Sequence, residues 1–432
     1  MPDRLVPENV HADGDWLIVG DDAIDLRVIG RIAIVGAGKA AGAMAVALEK
    51  VLGTELMETK NVTGWVNVPA DCVVPSERFH LHAARPAGVN EPRPEGVEGT
   101  QQILKIVSSL APTDLCICLL TGGGSALLPA PVPEISLAEK IQLTKLMSAA
   151  GANIEQLNIV RSQLSTVKGG GLARACRAGR LVTLLISDVL GDRLDIIGSG
   201  ATYPSQATAS DALAILDRLS LTDAKSLVTI VGYLKGRADA QQSPSAATLD
   251  DVPNLKSTHL VLGNNATAVD AAGIEAEKLG YSHAMIAARN SEDAAEEVGR
   301  HLARMALRMR DESGPDCLIS GGEPTVKLVD EKQRGNGGRN QQLALAALTE
   351  LGDCHDIAFL AAGTDGEDGP TNAAGALVTE SIVNAALKQQ LAPEDYLARN
   401  DAYSFFEKTQ GLFITGPTHT NVCDLRVIAV AG

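Results

Sequence analysis

The sequence predicts an α/β protein of two domains, each built on a mostly parallel sheet flanked by helices, with the first Rossmann-like. Three observations carry that expectation. Short aliphatic runs alternate with helical patterns along most of the 432 residues, the mark of successive βα units. Only 3% of residues are aromatic although 45% are hydrophobic, so the core is aliphatic, as it is where buried parallel strands pack. The 42 glycines fall repeatedly where a strand gives way to a helix, and in open α/β sheets ligands bind at such carboxyl ends.

The first unit begins with the strand Ile32–Val35, which turns through Gly36-Ala37-Gly38-Lys39 into an Ala-rich helix over residues 40–52. A second strand follows at Trp65–Val68, then a Pro-rich loop through Pro86, Pro92 and Pro94 and a helix near residues 97–110. The run Leu115–Leu120 reads as a strand ending in Thr121-Gly122-Gly123-Gly124-Ser125. Ser136 with Glu139, and Asn153 with Gln156, form capping-box patterns that open two helices, the second carrying Asn158 and Arg161. Another aliphatic strand, Leu181–Ile186, ends at Ser187-Asp188. The stretch Gly236–Asn254 has the composition of a linker, which places the domains at 1–250 and 251–432. Beyond it the alternation resumes: strands at 259–262, 283–287, 317–320 and 357–361, and helices at 266–279, 291–310 and from Arg339 onward.

Lys plus Arg number 37 against 53 Asp plus Glu, a net charge of −16. An acidic protein repels nucleic acid and anionic membranes on average, so neither is expected as a partner. No run is long enough to span a bilayer, and Met1–Asp22 shows no basic-then-apolar leader. Seven cysteines without a CxxC pair read as buried thiols in a reducing compartment rather than a disulfide framework. A cytoplasmic protein is the expectation. Oligomeric state is not encoded in these patterns.

Gly36, Gly38 and Lys39 lie at a strand-to-helix turn, where convergent amides and a helix N-terminus favour an anion. A cation there opposes the helix dipole, so Lys39 reads as a phosphate contact or as a solvated lysine. A dinucleotide enzyme needs an acid about 20 residues on, at the end of the second strand. Trp65-Val66-Asn67-Val68-Pro69 offers none. Gly122, Gly123 and Gly124 before Ser125 form either a tight turn or a backbone cradle, and the further clusters Gly169–Gly171, Gly321-Gly322-Glu323 and Gly335–Gly338 favour the cradle by recurrence. Asp188 and Asp192, and Asp365 with Glu367 and Asp368, suit Mg²⁺, a general base, or a simple cap or turn. Arg339 opens a helix beside glycines, as Lys39 does. Arg161 and Lys168 lie seven apart and read either as a solvated face or as a shared binding surface. Zinc and α/β-hydrolase signatures are absent.

Taken in order, Ile34-Val-Gly-Ala-Gly-Lys39-Ala-Ala41, Thr121-Gly-Gly-Gly-Ser125-Ala-Leu-Leu128, Asn158-Ile-Val-Arg161 through Lys168-Gly-Gly-Gly171, Ser187-Asp188-Val-Leu-Gly-Asp192, Ser320-Gly-Gly-Glu323-Pro-Thr325, Gly335-Asn-Gly-Gly-Arg339-Asn340 and Gly363-Thr-Asp365-Gly366 resemble the glycerate 2-kinase family that carries a C-terminal MOFRL domain. The resemblance runs from about residue 31 to 425. It implies transfer of the γ-phosphoryl of ATP to the 2-hydroxyl of D-glycerate, with Mg²⁺, at an interdomain cleft. Lys39 and Arg339 take the family's catalytic lysine and arginine, and Asp188 orients or deprotonates the hydroxyl. Asp188 and Asp192 are the expected metal ligands. Gly36, Gly38, Gly122–Gly124, Ser125, Arg161, Lys168, Gly321, Gly322, Glu323, Asn340 and Asp365 are the expected substrate and nucleotide contacts. Two departures stand out: the family's initial helical stretch is short or absent, and the Thr-Gly-Thr-Asn pattern reads Thr418-His419-Thr420-Asn421. Two rival readings remain, an NAD(P)H-dependent hydroxypyruvate reductase and a non-catalytic phosphosugar-binding regulator.

Overall fold

The computed structural model describes residues 1–241 and 255–431 and divides into two compact units, 1–186 with 193–262, and 187–192 with 263–432. The first opens with the helix Pro2–Asn9 and three short antiparallel strands, β1 (Val10–Asp13), β2 (Trp16–Val19) and β3 (Asp22–Asp25). Each is only partly buried, so its hydrophobic pattern is too faint to read from sequence. The main sheet contains β4 (Ile32–Ala37), β5 (Thr63–Pro69), β6 (Phe79–Arg85), β7 (Leu115–Thr121), β8 (Arg180–Ile186) and β9 (Lys256–Gly263), in the order β6-β5-β4-β7-β8-β9. The pairings β4/β5, β4/β7, β5/β6 and β7/β8 are parallel. Every residue of β4 and β7 is buried, which explains their unbroken aliphatic runs.

This strand order reverses between β4 and β7, the topological switch point at which doubly wound sheets bind ligands. The helix Ala41–Thr59 follows β4, and the helices Leu137–Ala149 and Ile154–Gln163 start with the expected capping boxes at Ser136/Glu139 and Asn153/Gln156. A second core forms beneath them from Leu143, Met147, Val160, Leu164, Ile215 and Leu234.

The second unit departs from expectation. Its sheet is mixed: β10 (His283–Ile286), β11 (Cys317–Gly322), β12 (Ile357–Gly363), β13 (Gly375–Val378), β14 (Leu412–Phe413) and β15 (Asp424–Val430) run in the order β10-β11-β15-β12-β13-β14. Only β10/β11 is parallel. The chain's last strand, β15, inserts antiparallel between β11 and β12, a long-range pairing that local periodicity does not reveal. The helix Arg339–Leu351 is buried over ten of its residues, among Ala303, Phe359, Phe405 and Phe406.

Two boundaries also differ from the sequence reading. Gly236–Gln241 belongs to the helix Val228–Gln241 rather than to a linker, while the remainder of that stretch, and with it the division at 250/251, lies outside the described residues. Strand β9 joins the first sheet, whereas Ser187–Asp192 groups with the second unit. No described helix is long and apolar enough to cross a membrane.

Candidate functional site

In the first unit the loops after β4 and β7 are tied together. The Lys39 amide donates to the Gly122 carbonyl at 2.9 Å, and the Ala40 amide donates to Thr121 Oγ1 at 3.1 Å. Gly36 and Gly38 owe their identity to this junction: a Cβ on either would collide with Leu119 or Thr121 of the neighbouring strand. Close packing alone therefore requires glycine at both positions. Gly123 is different. Its φ of +79° begins the short helix Gly124–Leu127, and a Cβ there would lie 3.1 Å from Arg85 Nη2 and 3.8 Å from Lys39 Cγ. The triglycine turn therefore lies beside two cations. Arg85, at the end of β6 and only 4% exposed, escapes the sequence reading because β6 does; a cation at the end of the alternating run Phe79–Arg85 is the signal that marks it.

Ser125 joins this junction to Arg161 and Lys168. Lys168 is 3% exposed, and its ammonium donates to Ser125 O at 3.0 Å, Ser125 Oγ at 2.6 Å and Ser199 Oγ at 2.9 Å. Arg161 donates to Ser125 Oγ at 2.7 Å, and Ser199 Oγ to Asn158 Oδ1 at 3.3 Å. The two cations thus share one polar network rather than a solvated face. Burial, then the charges of Arg161 and Lys140, push the Lys168 ammonium well below the ordinary lysine range.

The second unit gathers carboxylates around Arg339. This residue opens the helix Arg339–Leu351 as expected, but its guanidinium grips Asp424 through Nε at 2.7 Å and Nη2 at 2.9 Å and meets Glu323 at 3.1 Å. Burial opposes its charge. The hydrogen bonds and charge of Asp424, then the charge of Glu323, outweigh that and raise it above the usual arginine range. Burial pushes Glu323 upward, with Arg339 pulling the other way. The first anion of Arg339 is thus internal to the protein: Asp424, brought opposite Gly322 and Gly363 by the β15 pairing. The available signal was a charged residue in the inward phase of Asp424-Leu425-Arg426-Val427, where Asp424 and Arg426 are both fully buried.

Asp368 caps the same helix, accepting the Asn340 amide at 3.0 Å and the Gln341 amide at 2.8 Å. Asn340 itself is fully buried and its side chain also donates to Asp368, so it faces the protein interior. Gly321 and Gly322 are again packing positions, since a Cβ would strike Asn265 in one case and Glu292 and Arg426 in the other. Asp365 lies in the turn after β12, its carboxylate accepting the Glu367 amide at 3.1 Å. The Asp188 carbonyl accepts the Cys423 thiol at 3.2 Å, which brings the Ser187–Asp192 loop beside Glu323 and Asp424. Asp192, at φ +52°, accepts the Asn264 side-chain amide through one oxygen.

These features have counterparts in known proteins. Residues 1–232 match the model of a domain of unknown function (DUF4147) and residues 316–424 that of the MOFRL family. The chain is 36% identical to a glycerate kinase of Rattus norvegicus, covering 99% of this chain and 90% of that one. It is 36% identical to a D-glycerate 2-kinase of Thermotoga maritima, covering 92% and 90%. A putative hydroxypyruvate reductase of Agrobacterium vitis is 34% identical over 99% of this chain and 93% of its own length. The crystal structure of a glycerate kinase from Thermotoga maritima superposes with a TM-score of 0.79 at 33% identity, covering 100% of this chain and 95% of that one. With the two domain models in sequence and relatives matched over nearly their whole length, this chain belongs to the glycerate kinase family that carries a MOFRL domain.

Proposed function

We propose that the protein is an ATP-dependent kinase that transfers the γ-phosphoryl group to the 2-hydroxyl of D-glycerate, giving 2-phosphoglycerate and ADP. One observation carries this reading over the reductase. The triglycine turn after β7 has two cationic residues beside it, Lys39 from the end of β4 and Arg85 from the end of β6. Strand β5, by contrast, carries no acid towards its end at Pro69: Asn67 is fully buried, with its amide donating to Leu127 O at 2.8 Å and its carbonyl accepting Trp65 Nε1 at 3.1 Å. The position at which a dinucleotide enzyme holds its ribose acid is therefore a buried structural amide; the next acid, Asp71, stands exposed in the turn beyond. A purely binding regulator leaves the carboxylate cluster around Arg339 without a task.

Phosphoryl transfer depends on positioning and charge neutralisation more than on covalent chemistry. The glycerate 2-oxygen attacks the γ-phosphorus, the bond from that phosphorus to the bridging oxygen breaks, and the electron pair leaves with ADP. In this reading Lys39 and Arg339 neutralise charge on the transferring group, and Arg339 reaches it already oriented by Asp424 and Glu323. Asp188 accepts the hydroxyl proton or binds Mg²⁺. Its oxygen donors suit that hard cation, which needs only one or two protein carboxylates; Asp192 offers a second oxygen beside the one held by Asn264. Mg²⁺, when bound, screens the phosphate charges. Seven buried free thiols accord with a cytoplasmic, reducing setting.

The test offers the enzyme D-glycerate with ATP and Mg²⁺, and separately hydroxypyruvate with NADH or NADPH. ADP and 2-phosphoglycerate are expected in the first; nicotinamide oxidation without ADP formation would overturn the reading. Asp188→Asn is expected to lower kcat about a hundredfold, the scale of a general base, with the fold intact by circular dichroism. Near-native turnover would transfer the carboxylate role to another residue.

A further inference from the structure

Three cations of the first unit share one polar corner, two of them buried and the third, Arg161, half-buried. Lys140 and Lys168 are 8% and 3% exposed, and Arg161 joins Lys168 on Ser125. Among the described residues no Asp or Glu lies within ion-pair distance of any of the three: Lys140 donates to the Leu164 carbonyl, and the partners of Lys168 and Arg161 are a backbone carbonyl and two hydroxyls. Buried charges are normally paired, so such a cluster is built for an anion that arrives from outside.

The hydrogen-bond arithmetic says which group receives it. All three N–H bonds of Lys168 are spent. Ser199 points its hydroxyl hydrogen at Asn158, which leaves it to accept from Ser125 at 2.8 Å, while Ser125 Oγ accepts from both Lys168 and Arg161. The relay is closed, and neither serine has a proton left for a ligand. Arg161 uses one of its five N–H donors on this network. Its guanidinium is thus anchored at one nitrogen, with the rest of a planar fork uncommitted, and such a fork matches the two oxygens of a carboxylate. A nucleotide's polyphosphate calls for several converging donors, as in glycine-rich loops, whereas the free part of Arg161 is a single planar fork.

We infer that Arg161, held by the Ser125–Lys168–Ser199 relay, is a docking point for the carboxylate of the small hydroxy acid substrate. Lys168 supplies field rather than a direct contact, and Ser125 is a positioning residue. Naming the acid as glycerate rests on the kinase reading above; the carboxylate chemistry does not.

Calorimetry on the full chain separates the two. D-glycerate, its neutral analogue glycerol and a non-hydrolysable ATP analogue are titrated into wild type, Arg161→Gln and Arg161→Lys. Glycerate is expected to bind wild type at least tenfold more tightly than glycerol does. Arg161→Gln should weaken glycerate tenfold or more, the scale of a hydrogen-bonded charge, and Arg161→Lys, which keeps the charge but loses the fork, should fall between. Nucleotide affinity should change less than twofold in either variant. The inference is overturned if wild type does not prefer glycerate to glycerol, if either folded variant binds it as wild type does, or if the nucleotide is the ligand lost, which would make the anion a phosphate. Should Arg161→Gln fail to fold, Arg161→Lys alone decides. Arg161-dependent glycerate binding without ADP formation would sink the kinase reading while leaving the carboxylate site standing.

Discussion

The cations of the two units look alike in sequence and differ in the structure. Lys140 and Lys168 in the first unit are buried and Arg161 half-buried, with hydroxyls and carbonyls for company, whereas Arg339 in the second is gripped by Asp424 and Glu323. Burial lowers the first group's hold on protons, taking Lys140 to about 7; the second unit's carboxylates raise that of Arg339. A buried cation without a counter-ion costs stability, and the cost is returned when an anion binds. A caged cation is oriented beforehand and gains less. A cation beside glycines at a helix start therefore marks an unusual position, but only the tertiary pairing shows whether its anion is internal or arrives with a ligand.

The sharpest way to break this contrast is to remove one cation proposed for catalysis from each unit, Lys39 or Arg339. If Lys39 and Arg339 both stabilise charge that develops in the transition state, alanine at either is expected to reduce kcat about a hundredfold or more with a much smaller change in KM. Stability should separate them. Arg339→Ala leaves Asp424, whose side chain is 0% exposed while that of Arg339 is 35% exposed, as an uncompensated buried charge, so a loss of about 2–3 kcal/mol is expected, below the full range for a buried pair because the arginine is partly solvated. Lys39→Ala should unfold within about 1 kcal/mol of wild type. Equal denaturation midpoints for both variants would erase the distinction. A Lys39→Ala enzyme with intact kcat and raised KM would make the lysine a substrate anchor.

How far the sequence foretold this site follows the range of the forces involved. Strands β4 and β7 and the two capping boxes were legible because each is specified by neighbours a few residues apart, and the glycine loops between strands and helices located the switch point. Glycine identity does not by itself mark a ligand at Gly36, Gly38, Gly321 and Gly322, where close packing against another strand or a buried side chain demands the missing Cβ as firmly as a ligand would. Arg85 escapes because the strand that carries it, β6, is itself not read from the sequence, and Asp424 because its role comes from strand pairings distant in sequence. The same cause hid the mixed character of the second sheet: β15 lies more than sixty positions beyond β12 yet runs beside it. Asn340 was given a ligand role by its place in a motif, and burial against Asp368 turns it inward.

The first unit's unpaired charge also predicts a pH dependence. Lys140 falls from 10.5 to about 7 because of burial, then Arg161. With the folded value below the unfolded one, the unfolded chain binds more protons between about pH 7 and 10, so stability rises with pH across that window. The group's share is on the order of 5 kcal/mol. Lys140→Met keeps the volume and removes the charge, and it is expected to stabilise the protein by about 1–3 kcal/mol at pH 7 while flattening part of the rise; Lys168, also lowered, retains the rest. Denaturation midpoints from pH 6.5 to 10 measure both. A variant as pH-dependent as wild type would mean that Lys140 finds compensation the buried geometry does not show.

The smallest effect tests the second unit's cage from its other side. Asp368 is 2% exposed, and burial raises it from 3.8 to about 6, the hydrogen bonds from the Asn340 and Gln341 amides resisting, Asp424 adding to the rise and Arg339 opposing it. The sign is now reversed. A carboxyl whose folded value lies above its unfolded one holds its proton longer in the native state, so stability falls as pH rises from about 4 to about 6 and is level above that. The span is on the order of 3 kcal/mol, the favourable place of a negative charge at the helix N-terminus being already contained in the net rise. Asp368→Asn cannot ionise and keeps one acceptor for the two amides, so above pH 6 it should lie within about 1 kcal/mol of wild type, with the lost cap and the removed buried charge nearly offsetting. Between pH 4 and 6 the descending slope should shrink by the share of this one carboxyl. If the slope in the variant matches wild type, Asp368 is ionised throughout, and the charge of the Arg339 cage is fixed by Asp424 and Glu323 without it.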